Sequence, residues 1–327
     1  MSYNSVIKWL LEGDVSIQYQ VHRDLLNQER PDLQQRIRSE GWSAQYLKEQ
    51  NQDGHWGNSY YNPKWISTHY TLLTLKHLCV GRGVEGINLI LDKILYQDQS
   101  YAPQAKAIST TVLYDDVCVN GMFLNFTAYF LGEEEKLKDV IDFILSQQMD
   151  DGGFNCMKNR SGARHSSLHS TISVLEGLFE YLNVGGSYRK EEIKRAMNEA
   201  TEFILMHKLY MSDRNGRIIH PSFLKFPFPT RWKYDIMRAM DYFQDSDTPY
   251  DERMMPAIDY ILSKRLPSGK WKINAKYPGQ IFFNMEKAGT ESRWNTLRAL
   301  RIMKKYLEFT ALDLVYDDLL AETSFTS

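Results

Sequence analysis

Three kinds of side chain in this sequence can do chemistry, and each recurs at a readable spacing. A carboxylate and a thiol, Asp116-Val117-Cys118, are followed 53 residues later by His169. Thiolate, imidazole and carboxylate are donors that zinc accepts while leaving a fourth position for substrate. Cys156 and His165 lie in the segment leading to His169 and can replace or join the acid. The bland alternative is an Asp that caps a helix and a Cys that simply packs. Tyr70, Trp232, Tyr234 and Trp294 stand at or near the starts of apolar runs, where aromatic faces can stabilise a cation or bind an apolar chain. Arg293, beside Trp294, can meet an anionic group, although a carboxylate-paired or solvent-facing arginine is the commoner case. His69 and His169 sit in similar contexts, Ser67-Thr68-His69 and Ser167-Leu168-His169, which repeat duplication alone can explain.

The elements that must position these groups announce themselves as repeats. Gln148-Met149-Asp150-Asp151-Gly152-Gly153-Phe154 separates two apolar runs at helical spacing, one ending near Leu145 and one from Thr171 to Leu182. Asp-Asp-Gly-Gly breaks a helix, because glycine enters the left-handed region at little cost. The spacing Gln, three residues, Gly, one residue, aromatic returns at Gln50, Gly54 and Trp56, and again at Arg265, Gly269 and Trp271. Equivalent residues Tyr46, Ile90, Ile144, Ile204 and Ile261 lie 44, 54, 60 and 57 residues apart. Repeats of that length in a helical chain predict stacked helical hairpins. The following helix of each hairpin is expected near 15–27, 66–79, 118–130, 169–182, 232–243 and 293–306, with 139–148 on the outer layer. Six such pairs are enough to close a ring, so the fold expected is an all-α (α/α)6 toroid over residues 1–306, with an acidic tail from 307 to 327.

Composition narrows the function classes. With 39 basic and 41 acidic residues the net charge is −2, and no nucleic-acid partner is implied. Three cysteines point to a reducing compartment rather than a disulfide framework. The N-terminal residues show no signal-peptide pattern, and no apolar run approaches the ~20 residues of a membrane span, so a cytoplasmic protein is expected.

The pattern Gln50…Gly54…Trp56, Gln148…Gly152…Phe154 and Arg265…Gly269…Trp271 resembles the QW-type repeat of the terpenoid cyclases and protein prenyltransferase β-subunits, over about residues 40–306. That resemblance implies inner helices around an aromatic-lined cavity holding an isoprenoid-like apolar molecule. It also implies zinc on Asp116, Cys118 and His169, with Cys156 and His165 as further donors. Ser109 to Tyr114 lacks the basic residues that β-subunits use for diphosphate, so protein prenylation, and with it an α-subunit partner, is not expected. The Asp-x-Asp-Asp acid of the cyclases is incomplete in Leu113-Tyr114-Asp115-Asp116 and in Tyr316-Asp317-Asp318, which read as turns or caps. Two other readings compete: a non-catalytic protein-binding scaffold, and a polysaccharide lyase or hydrolase of α/α-barrel type. The last needs acids or bases facing a groove, and none pair convincingly at inner-helix starts.

Overall fold

The computed structural model describes residues 3–96, 116–132 and 135–307. Leu113, Tyr114, Asp115 and the tail beyond Leu307 lie outside these.

Helices build the chain: α1 (Tyr3–Leu11), α2 (Val15–Gln20) running into a π-helical turn (Val21–Leu25), α3 (Pro31–Ile37), α4 (Gly41–Lys48), α5 (Thr68–His77) and α6 (Glu85–Tyr96) come first. Then follow α7 (Val117–Leu131), α8 (Leu137–Ser146), α9 (Met157–Ser161), α10 (Leu168–Asn183), α11 (Lys190–Met206), α12 (Ile236–Asp245), α13 (Met255–Ser263) and α14 (Arg293–Tyr306). A two-residue antiparallel pairing joins β1 (Trp271–Lys272) to β2 (Glu291–Ser292).

Burial sorts the helices into two layers. In α7 nearly every side chain is buried, and the same holds for α5 and α14, which an outer helix with one solvent face cannot do. In α8 and α11 burial is confined to one stripe. The inner layer is α2, α5, α7, α10, α12 and α14, each preceded by its outer partner α1, α4, α6, α8, α11 or α13. The expected inner spans and the outer position of 139–148 are therefore observed.

The ring closes through polar contacts between its ends. Arg301 donates to Gln20 Oε1 at 2.8 Å, Lys304 to the carbonyl of Asp24 at 2.7 Å, and Arg293 Nε to the carbonyl of Trp9 at 3.0 Å. An (α/α)6 toroid results, not an open superhelix.

Each repeat turn has one hydrogen-bond logic. Gln50 Nε2 donates to the carbonyls of Gly54 and Gly86, and Gln148 Nε2 to those of Gly152 and Ala196, so each glutamine fastens its own turn to the next outer helix. The indoles of Trp56 and Trp271 donate to the carbonyls of Tyr46 and Ile261, both at 2.7 Å. The turn glycines Gly54, Gly152 and Gly269 adopt φ of +91°, +86° and +75°, as the repeats require. The backbone N–H groups of Trp56, Phe154 and Trp271 donate to the hydroxyls of Thr68, Thr171 and Thr296, each at 3.0 Å. These threonines set the true register of the inner helices, and they correct the match of His69 with His169. His69 follows its threonine by one residue, whereas His169 precedes its own by two.

Helices α7 and α10 approach most tightly at two glycines. A Cβ on Gly177 would lie 2.2 Å from the carbonyl oxygen of Gly121, and one on Gly121 would lie 2.5 Å from that of Ser173. Among the described residues no helix is long and apolar enough to cross a membrane.

Candidate functional site

The ring has two ends, and they differ in chemistry. At the end where the inner helices start, aromatic rings gather. Tyr70 is fully buried; its hydroxyl meets that of Tyr61 at 2.8 Å, and its ring packs edge-on against Trp65. Trp232 lies against His169, with the ammonium of Lys233 3.9 Å and that of Lys64 5.3 Å from its ring centre. Burial draws both ammonium groups below the ordinary lysine pKa.

The expected zinc donors do not converge. Cys118 and Cys156 meet, their sulfurs 2.8 Å apart. His169 uses Nδ1 to accept the backbone N–H of Tyr234 at 2.7 Å and packs edge-on against Phe223 and Trp232. Burial, then Lys233, holds its pKa down to about 4. The carboxylate of Asp116 pairs with Arg160. His165 is exposed on its loop, 3.2 Å from Arg214. Among the described residues no three His, Cys, Asp or Glu side chains are grouped to hold a metal. As arranged, this donor set does not fit a zinc ion; what it supplies is a pair of thiols.

Two further candidates are structural. Tyr234 is fully buried, with its hydroxyl on the carbonyl of Leu209 at 2.6 Å. Arg293 lies over the ring of Trp9, 4.5 Å from its centre, and so fastens α14 to α1 instead of reaching the ring axis. Trp294 does face the axis, stacked on Phe228 at 3.9 Å.

Along that axis, toward the ends of the inner helices, lies a cavity of about 200 Å3 to which all six contribute. Its wall sets charged side chains among aromatic ones. Arg238 grips Glu176 with two hydrogen bonds of 2.7 and 2.6 Å. Lys76 pairs with Glu180 at 2.9 Å. Arg298 and Arg301 approach the two oxygens of Asp241 at 3.1 and 3.5 Å, and Arg301 also reaches Asp24 at 3.3 Å. Arg23 completes five lining cations against four lining carboxylates, Glu176, Glu180, Asp241 and Asp245.

Asp245 stands apart from the other three. It makes no hydrogen bond or ion pair among the described residues, and its side chain is exposed at the cavity mouth beside Asn183. His77, on the same wall, is held well below 6.5 by burial and then by Lys76, so its imidazole is neutral.

Several buried polar atoms of the lining residues have no partner among the described residues: Nδ1 of His77, both amide atoms of Asn125, Nε1 of Trp294 and Nη1 of Arg298. A buried polar atom left without a hydrogen bond costs about 1–3 kcal/mol, so a cluster of them around one cavity signals a polar occupant.

Sequence reasoning missed this wall. The available signal was acids and bases at helical spacing on helices already assigned to the inner layer: Glu176 with Glu180, Asp241 with Asp245, and Arg298 with Arg301. A helix inside a ring has no solvent face, so such charges must turn toward the axis.

The sequence matches no protein-family model. Among solved structures, the chain is similar to a glycosyl hydrolase family 88 protein from Bacteroides vulgatus, at a TM-score of 0.48 and 12% identity, over 90% of this chain and 91% of that one. Neither of these two results ties the chain to the terpenoid cyclases or prenyltransferases in particular.

Proposed function

We propose that the toroid binds a small hydroxyl-rich carboxylate, of single-ring sugar-acid size, in the axial cavity and performs acid–base chemistry on it. The observation that carries this reading is the set of unpartnered polar atoms on the cavity wall. It mixes donors (Asn125 Nδ2, Trp294 Nε1, Arg298 Nη1) with an acceptor (Asn125 Oδ1) and a neutral imidazole, and hydroxyl groups, which both donate and accept, match such a wall. At ~30 Å3 per water, about 200 Å3 is the room of roughly seven waters, enough for one polar ring. Nη1 of Arg298, a guanidinium N–H without a partner among the described residues, favours a ligand carboxylate. Asp245, which makes no side-chain ion pair among the described residues, is placed to exchange a proton, while Asp241 is held between two arginines. Of the readings the sequence offers, it lies nearest the polysaccharide lyase or hydrolase of α/α-barrel type, with a smaller ligand.

A second reading keeps the isoprenoid-like ligand and moves it to the aromatic end, where Tyr61, Trp65 and Trp232 surround Lys64 and Tyr70 packs edge-on against Trp65. Titration calorimetry with sodium glucuronate, glucose and farnesyl diphosphate separates the two. The axial reading expects glucuronate to bind more tightly than glucose. Asn125→Leu should abolish that binding without lowering the melting temperature, since the amide has no partner to lose. Farnesyl diphosphate binding at one per chain, unaffected by Asn125→Leu and with no sugar acid bound, would overturn it.

A further inference from the structure

We infer that Cys156 and Cys118 form a redox-active dithiol at the starting end of the inner ring, with Cys156 as the attacking thiolate and Cys118 as the resolving thiol. The two residues are far apart in sequence but their sulfurs are 2.8 Å apart. A disulfide bond is about 2.05 Å long, so closing it needs a shift of under ~1 Å. The environment distinguishes the two sulfurs. Cys156 Sγ accepts the backbone N–H of Cys118, in the first turn of the 15-residue helix α7, at 3.3 Å, and the hydroxyl of Ser170 at the same distance. Donors aimed at a sulfur, and the positive end of a helix beside it, favour the thiolate. Cys156 is only half-buried, so a small disulfide can reach it, whereas Cys118 is buried. The third cysteine, Cys79, is buried beside Arg23, with no thiol in contact among the described residues.

The chemistry balances with a small-molecule disulfide as oxidant. The Cys156 thiolate attacks one sulfur of oxidised glutathione; that S–S bond breaks, a mixed disulfide forms, and one glutathione thiolate leaves and takes up a proton. Cys118 gives its proton to solvent and attacks the Cys156 sulfur; the mixed disulfide breaks and a second glutathione leaves. Two protein thiols are oxidised, and one glutathione disulfide is reduced to two thiols. The new bond ties the start of α7 to the turn that feeds α10.

The test uses the full chain equilibrated with oxidised glutathione, alkylated, digested and read by mass spectrometry. The expected result is a Cys118–Cys156 cross-linked peptide with Cys79 still alkylated, reversed by dithiothreitol. Cys118→Ser should accumulate the mixed disulfide on Cys156, because the resolving thiol is gone. In the reduced protein, Cys156 should alkylate at least about tenfold faster than Cys118 at neutral pH. Two unlinked, fully alkylated thiols after equilibration, or a cross-link that involves Cys79, would overturn the inference. The wild-type measurement needs no variant to fold.

Discussion

The two ends of the ring solve the same problem, what to place on the axis of six packed helices, in opposite ways. At the starting end, cations lie over aromatic rings: Lys64 and Lys233 face Trp232, and neither makes an ion pair among the described residues. At the other end, cations are locked to carboxylates: Arg238 to Glu176, Lys76 to Glu180, Arg298 to Asp241. A cation over a ring can be deleted without leaving a counter-charge behind. A cation paired to a buried carboxylate cannot. Truncation of a cation at the aromatic end should therefore cost less than truncation of one in the mutually dependent network of the axial cavity.

That contrast can be broken most sharply at Arg238. Arg238→Met leaves the Glu176 carboxylate half-buried and unpaired, and removes bonds to Ser173 and to the carbonyl of Lys233. The expected loss is about 3–5 kcal/mol, read as a fall in the urea midpoint. The parallel truncation at the other end, Lys233→Met, gives up a cation–π contact and should cost no more than about 1 kcal/mol. Equal effects from the two variants would erase the distinction between the ends.

The glycine contact between α7 and α10 comes next, because it holds both ends in register. Gly177→Ala drives a methyl into the carbonyl of Gly121, and should cost about 1–3 kcal/mol or more by the same urea measurement. A melting temperature equal to wild type would mean that the two helices pass each other at a greater distance.

At neutral pH the effect that vanishes is a proton at His169. Its folded-state pKa is about 4 against an ordinary 6.5, so the folded chain prefers the neutral ring. The stability this contributes is complete above about 6.5 and is lost as pH falls from there through about 4. His169→Gln should therefore flatten the decline of unfolding free energy between those values, with up to one fewer proton taken up on unfolding. Asp235 runs the other way. Its buried carboxyl, raised to about 6, favours the folded state when protonated, and that contribution disappears as pH rises from the ordinary value near 3.8 through about 6. Identical pH profiles for wild type and His169→Gln would place the histidine in water.

What could be read in the sequence follows from what repeats. The turns were legible because Gln, Gly and an aromatic serve the same hydrogen bonds each time, so their spacing survives changes elsewhere. From six such hairpins the closed ring follows by counting. The candidate site was less legible. The donor chemistry visible in the sequence stands at helix starts, at Asp116, Cys118 and His169. Yet His169 is committed to the backbone of Tyr234, and Asp116 to Arg160, and neither commitment has a sequence signature. The two thiols come together only because α7 and α10 touch at Gly121 and Gly177, a contact between glycines 56 residues apart. Glu176, Asp241 and Arg298 look like ordinary surface charges until the ring closes and denies them a surface.

The measurement that tests the account most directly is a crystal structure determined after separate soaks with sodium glucuronate and farnesyl diphosphate. The account predicts ordered density for the sugar acid in the axial cavity, within hydrogen-bonding distance of Asn125 and Trp294 and with its carboxylate toward an arginine. A prenyl chain laid along Tyr70 and Trp232, with no sugar acid bound on the axis, would contradict it.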